Sequence, residues 1–268
     1  MYNEDYLREN ISIPIEVLEE IDSTNEEAKR RIKKGSDSDF VLVAKEQTAG
    51  KGRKGRNFYS PKDTGIYMTL VHYTDEQPEN TLITTVATGE IARRAIEEVY
   101  GVSCLIKWVN DLYLNDRKVS GTLCELILKN TYDNFQNAII IGIGINVSTE
   151  LFPDDIKDKA DSLINLSKNI NNENPALSNK STGLDEIVIK IVNGLQTFFK
   201  GGNIQELMID YRKNSYVIGK SVELSDASGV FMKGKVLGVN DSGELIVLNE
   251  NSEPVTISSG EISLIISK

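Results

Sequence analysis

The chain has 268 residues, 40% hydrophobic and 26% charged, enough for one large globular domain or one of about 200 residues with a small appendage. A net charge of −10 argues against general nucleic-acid binding, which shows as a basic domain or face. No membrane span or secretory leader is predicted: the longest apolar run, Ala138 to Val147, is about half of the ~20 residues a spanning helix needs, and Met1 precedes polar, acidic residues.

Ser23 with Glu26 three residues on predicts a capping box opening a short helix that ends at Gly35. Phe40 to Ala44 and Ile66 to Tyr73 predict strands, the first leading into Gln47 and the stretch Gly50-Lys51-Gly52-Arg53-Lys54-Gly55-Arg56. Ile83, Val86, Ala87, Ile91, Ala95, Ile96 and Val99 recur at helical steps up to a C-capping Gly101. Strands are expected at Leu105 to Val109, Leu112 to Leu114, Thr122 to Leu128 and Ala138 to Val147. The Asn- and Ser-rich stretch from Asn165 to Gly183 reads as a surface loop; helices follow from Thr182 through Phe198 and from Ile204 to Arg212. Past a boundary near Val217, short strands from Ser221 to Ile266 suggest a small β-barrel. The order fits an α+β fold, a mixed and largely antiparallel sheet with packed helices, better than strict βαβ alternation. Cys104 and Cys124 show no metal-ligand spacing and predict buried reduced thiols in a cytoplasmic protein. The sole histidine, His72, is given no role.

The cationic stretch sets four positive side chains among three glycines, on an acidic protein. Glycine lets backbone approach a ligand, and Lys and Arg offer charge-assisted donors to phosphate or carboxylate oxygens. Lys107-Trp108-Val109-Asn110-Asp111 places the only Trp between a cation and an amide-carboxylate turn. Lys118-Val119-Ser120-Gly121 puts a lysine at the mouth of an apolar strand. Gly142-Ile143-Gly144-Ile145-Asn146 lacks the third glycine of a dinucleotide fingerprint and lies within a strand, so its glycines imply close packing or a ligand against the backbone.

In this order and spacing, Ser23-Thr24-Asn25, Gln47 with residues 50 to 56, Lys107-Trp108-x-Asn110-Asp111, Lys118-x-x-Gly121, Gly142-x-Gly144-x-Asn146 and the terminal Gly260-Glu261-Ile262-Ser263-Leu264 resemble the biotin protein ligases. The resemblance implies a catalytic domain over residues 1–216, like class II aminoacyl-tRNA synthetases, and an SH3-like barrel over 217–268. It implies activation of biotin by ATP with Mg²⁺ and transfer to a lysine of a biotin carboxyl carrier protein. Arg53, Lys118 and Asp111 would be catalytic. Ser23, Thr24, Asn25, Gln47, Lys51, Gly52, Arg53, Lys118, Gly121, Leu123, Gly142 and Gly144 would hold biotin. Gly50, Arg53, Arg56, Lys107, Trp108, Asn110, Lys118 and Asn146 would hold the nucleotide, with no protein metal cluster. The glycine-rich loop is expected to be a lid, mobile when empty.

Val109 stands where a proline is common in the family, Lys51 for an arginine, Phe58 for a tryptophan, and Leu237 where some members carry an arginine reaching ATP. A lipoate or other cofactor ligase shares the implied chemistry, although Lys107 to Asp111 with Gln47 favours biotin. Some relatives are repressors with an N-terminal winged helix; about 21 residues before Ser23 are too few for one, so no DNA partner is expected. Monomer and homodimer both stay open.

Overall fold

The computed structural model describes residues 2–75, 81–128, 130–131, 134–135, 137–167, 182–226 and 228–265. The chain begins with α1 (Glu4–Asn10), β1 (Ile15–Leu18), α2 (Thr24–Lys33), β2 (Phe40–Ala44), β3 (Gly65–Thr74) and α3 (Leu82–Tyr100). There follow β4 (Leu105–Lys107), β5 (Asp111–Leu114), β6 (Arg117–Ile127), the short pair β7 (Asn130–Thr131) and β8 (Asn134–Phe135), and β9 (Asn137–Asn146). Among the described residues the helices that come next are α4 (Leu163–Ser167), α5 (Thr182–Phe199) and α6 (Ile204–Lys213). The last strands are β10 (Ser221–Asp226), β11 (Gly229–Val239), β12 (Leu245–Asn249), β13 (Pro254–Ile257) and β14 (Glu261–Leu264).

The main sheet has the order β1-β2-β3-β9-β6-β5-β4. Only β1 and β2 run parallel, so the sheet is mixed and largely antiparallel, as predicted. Every residue of β9 is buried, because helices cover both faces. Ile139, Ile141, Ile143 and Ile145 point into the core made with α3 and α5, while Ala138 and Ile140 lie under Ala28 and Ile32 of α2. Side chains alternate along a strand, so Gly142, Gly144 and Asn146 continue the α2 face. There the strand's large side chains stop, and Asn25 and Phe58 approach the two glycines.

The C-terminal sheet is antiparallel, in the order β13-β12-β11-β10-β14. Irregularities at Leu224/Ser225 and between Val236 and Gly238 bend it. Its edges, β13 and β14, are not paired to each other among the described residues, so the predicted barrel is seen only as an open sheet. Several contacts fasten it to the main domain, ion pairs from Lys54 and Arg56 to Glu261 among them. Trp108 Nε1 donates to Gly243 O at 2.9 Å, Arg212 Nε donates to Val239 O at 2.6 Å, and Arg212 also pairs with Asp241.

Several boundaries differ from expectation. Residues 4–18, unassigned from sequence, form α1 and the edge strand β1, whose partners are distant in sequence. The predicted strand Leu105 to Val109 stops at Lys107, because Trp108 is buried and turned to the C-terminal sheet. Strand β6 begins at Arg117 rather than Thr122, since Lys118 and Ser120 already pair with β5. Asn165 lies in α4, not in a loop; the remainder of that predicted loop, 168–181, lies outside the described residues. Gly101 caps α3 in a left-handed conformation (φ 64°), as the periodicity required.

Among the described residues no helix is long and apolar enough to cross a membrane. On α3, Glu90 is wholly buried and accepts from Arg93 through both oxygens (2.8 and 2.9 Å) and from Arg94 at 2.9 Å; Arg94 continues to Asp210 of α6. Removing one member of a buried ion network leaves an uncompensated charge. Glu90→Ala is therefore expected to lower the unfolding free energy by about 3–5 kcal/mol in urea denaturation. Glu98→Ala, whose exposed carboxylate pairs with Lys190 on the surface, is expected to change it by less than about 1 kcal/mol.

Candidate active site

The glycine patch on β9 is the floor of a cavity of about 530 Å³. Its walls are the start of α2, the cationic loop, the turn from β4 to β5, the segment after β9, and residues 260–263 of the C-terminal sheet. A Cβ on Gly142 would lie 2.1 Å from Asn25 Oδ1, and one on Gly144 would lie 2.5 Å from the Phe58 ring. Both positions admit only glycine while those neighbours stay in place.

At one end the cavity is polar and uncharged. Ser23 has the extended dihedrals of a helix N-cap (φ −160°, ψ 134°), but its hydroxyl makes no capping bond and Glu26 turns to Lys29, so the capping box is not formed. The Ser23 side chain lines the cavity instead. The Thr24 N–H, left free at the helix start, donates to Gln47 Oε1 at 2.9 Å. Gln47 Nε2 donates to Ser60 Oγ (2.9 Å), and Ser60 donates to Phe58 O (2.9 Å).

Cations gather at the other end. Gly52 N–H donates to Arg56 O at 2.7 Å, and left-handed dihedrals at Lys54 and Gly55 (φ 54° and 74°) close a single 3₁₀ turn over Arg53–Gly55. The loop is pinned at both sides. Arg53 Nη1 donates to Asn110 Oδ1 at 3.1 Å, while Arg56 and Lys54 reach Glu261 of β14 at 2.6 and 3.8 Å. Lys118 Nζ lies 2.7 Å from Asp111 Oδ1, a close ion pair whose angles fall outside those of a hydrogen bond. Adjacent residues, Asn110 and Asp111, thus hold the two cations that come from distant parts of the chain. Lys107 stands beside them, with Nζ 5.2 Å from the Tyr113 ring centroid. Burial lowers the pKa of Lys107 from its ordinary value; Asp111 opposes that shift and Lys118 adds to it. Asn146 Nδ2 donates to Asp161 O at 3.2 Å, but its buried Oδ1 has no partner among the described residues.

All the site residues expected from sequence line this cavity except Gly50. Gly50 lies beneath it, where a Cβ would be 2.5 Å from Phe58 O, so its place is set by backbone packing. Leu237 is half-exposed on β11 and outside the lining. His72 is also elsewhere, with Nδ1 2.8 Å from Asp39 and its ring stacked on Phe199. Sequence reasoning missed Phe152, Ile156 and Lys159, which enter because Lys118 and Ala160 form a bridge between strands. A segment without periodicity carried no signal for them. Burial pushes the Cys104 thiol up to about 12 and raises Cys124 as well, and both are free.

Residues 17–146 match the biotin/lipoate A/B protein ligase family, and residues 217–265 match the biotin protein ligase C-terminal domain. A biotin protein ligase from Aquifex aeolicus, solved in complex with biotin and ATP, is similar with a TM-score of 0.71 and 30% identity, over 95% of this chain and 99% of that one. The chain belongs to the biotin protein ligase family. It is 26% identical to a biotin–[acetyl-CoA-carboxylase] ligase of Mycobacterium tuberculosis (92% of this chain, 88% of that protein). It is 28% identical to the bifunctional ligase/repressor BirA of Bacillus subtilis (91% of this chain, 72% of that protein).

For a ligase of this family, closing the floor should cost binding more than folding. Gly142→Ala must displace Asn25 and with it the start of α2. The variant is expected to raise Kd for biotin at least tenfold by calorimetry while its thermal unfolding stays cooperative.

Proposed function

We propose that the chain activates biotin with ATP to biotinyl-5′-AMP and then transfers biotin to a specific lysine of a biotin carboxyl carrier protein. The observation that carries this reading is the convergence of Arg53, Lys107 and Lys118 on a cavity whose other end is uncharged and rich in hydrogen-bonding groups. In the first step a biotin carboxylate oxygen bonds to the α-phosphorus of ATP and pyrophosphate leaves. Two anions must meet, so cations fixed in advance where they converge lower the barrier. Arg53 and Lys118 are suited to that place. Lys51, Gly52 and Arg53 would carry the carboxylate side, while Arg56, Lys107, Trp108, Asn110 and Asn146 would face the nucleotide. The ureido ring would sit at the Ser23, Thr24, Asn25 and Gln47 end, over Gly121, Leu123, Gly142 and Gly144. In the second step the neutral lysine amine attacks the acyl carbon and AMP leaves; Asp111 would orient that amine or take its proton.

Mg²⁺ is a hard cation that takes oxygen ligands and is commonly held by one or two protein groups with substrate phosphates. The unpartnered Asn146 Oδ1 fits such a ligand, and the ion would offset phosphate charge when bound. The catalytic unit is proposed to span 1–216 and the C-terminal module 217–268, its bent sheet corresponding to an SH3-like barrel. Two free thiols, Cys104 buried and Cys124 half-buried, agree with a cytoplasmic setting.

Incubation with biotin, MgATP and a biotin carboxyl carrier domain should add one biotin to the carrier by intact mass. Arg53→Ala and Lys118→Ala should each slow this by about a hundredfold or more. Asp111→Asn, given preformed adenylate, should transfer biotin more slowly than the parent enzyme. No mass gain with biotin but gain with lipoate would replace biotin by lipoate as the substrate.

A second test uses protonation. Because the pKa of Lys107 is lowered, its charge is present below that value and is lost as pH rises through it, earlier than for a free lysine near ~10.4. KM for ATP is expected to climb on the alkaline side in the parent enzyme and to stay flat in Lys107→Arg, which keeps its charge.

A further inference from the structure

The Asn25 amide, at the uncharged end of the cavity, faces one side chain from outside it, Glu125, and more distantly the Leu123 carbonyl at 3.5 Å. Strand β6 presents Gly121, Leu123 and Glu125 on one face; the first two line the cavity and Glu125 follows beyond it, opposite Ile140 of β9. Glu125 Oε1 accepts from Lys29 Nζ at 2.8 Å, and Oε2 lies 3.0 Å from the amide of Asn25. An ionised carboxylate can only accept. The amide atom facing it is therefore Nδ2, and Asn25 Oδ1 must point the other way, to Thr69 Oγ1 at 2.7 Å.

That orientation fixes every proton further along. Thr69 Oγ1 is 2.7 Å from both Asn25 Oδ1 and Thr24 Oγ1 and has one proton to give. The amide oxygen cannot donate, so the Thr69 proton goes to it, and the Thr69–Thr24 contact is filled by the proton of Thr24. Thr24 Oγ1, though 3.1 Å from Gln47 Oε1, then has nothing left to donate there. Gln47 Oε1 keeps one bond, from the Thr24 N–H, and a free lone pair. The cavity end thus offers two acceptors, Thr24 Oγ1 and Gln47 Oε1. Were the Asn25 amide turned over, Thr69 would donate to Thr24 and Thr24 to Gln47, filling that acceptor.

We propose that Glu125 is a positioning residue for substrate recognition: as an acceptor-only group held by Lys29, it fixes the Asn25 amide and so sets the Thr69–Thr24–Gln47 chain to accept ring N–H donors. This rests on the reading that the ureido ring occupies this end of the cavity.

The experiment compares the parent enzyme with Glu125→Gln, whose side-chain amide lets Asn25 take either orientation. Binding of biotin, and of a cyclic carbamate analogue in which one ring N–H is replaced by O, is measured by calorimetry, with steady-state kinetics and thermal unfolding alongside. Loss of about one hydrogen bond corresponds to roughly tenfold. Glu125→Gln is expected to raise Kd and KM for biotin about tenfold, to leave kcat at saturating biotin and KM for ATP within about twofold, and to shrink the preference for biotin over the carbamate. Glu125→Ala, which also removes the obligate acceptor, carries the same expectation. Adding Asn25→Asp to Glu125→Gln lets the introduced glutamine amide donate to a group that again only accepts from Thr69, and most of the loss should be recovered. Unchanged biotin affinity in Glu125→Gln, equal losses for biotin and the carbamate, or no recovery in the double variant would each overturn the proposal. If the parent enzyme binds no biotin, the functional reading fails and this inference falls with it; if it binds biotin and only these comparisons fail, the functional reading stands alone.

Discussion

The site depends on one constraint: a strand buried on both faces must lose its side chains wherever something else is to lie against it. Strand β9 is buried throughout, yet its α2 face runs Ala138, Ile140, Gly142, Gly144, Asn146, from large side chains to almost none. Asn25 and Phe58 approach the two glycines closely, at positions where a methyl group would collide. The cavity is therefore built on a fully buried strand at the centre of the main sheet. A rigid floor keeps the surrounding polar groups in register without any reorganisation when a ligand arrives.

On this floor the two ends are separated by chemistry as well as by distance. Hydroxyl and amide groups from α2, β3 and the stretch after β2 satisfy one another at one end. At the other, Arg53 and Lys118 are each anchored by a neighbour in the turn between β4 and β5. Partnering the cations with Asn110 and Asp111 limits the cost of partial burial, while leaving them on the cavity wall. The glycine-rich loop, expected to be mobile, is tied here to Glu261 through Arg56 and Lys54. The C-terminal sheet therefore contributes an anion, Glu261, to the site, while Leu237 lies outside its lining.

The sequence was most legible where residue chemistry is local. Glycines 142 and 144, the cationic run and the pair Asn110-Asp111 announced themselves by type and spacing. Less legible was anything defined by a partner far along the chain. Ser23 looked like a helix cap because the pattern with Glu26 says so, but in the fold its hydroxyl faces the cavity and Glu26 prefers Lys29. Phe152, Ile156 and Lys159 lie in an irregular segment brought alongside Lys118 by backbone pairing that no pattern encodes.

By itself the sequence determined the fold class and the set of groups available for chemistry, because periodicity, glycine placement and clustered charge are properties of neighbouring residues. Only the tertiary structure decided how those groups are connected: which carboxylate holds which cation, which way the Asn25 amide turns, and that Glu261 closes on the cationic loop. Such choices follow from distances across the sheet and between it and its helices, and a linear chain does not contain them until residues 100 apart come within hydrogen-bonding distance.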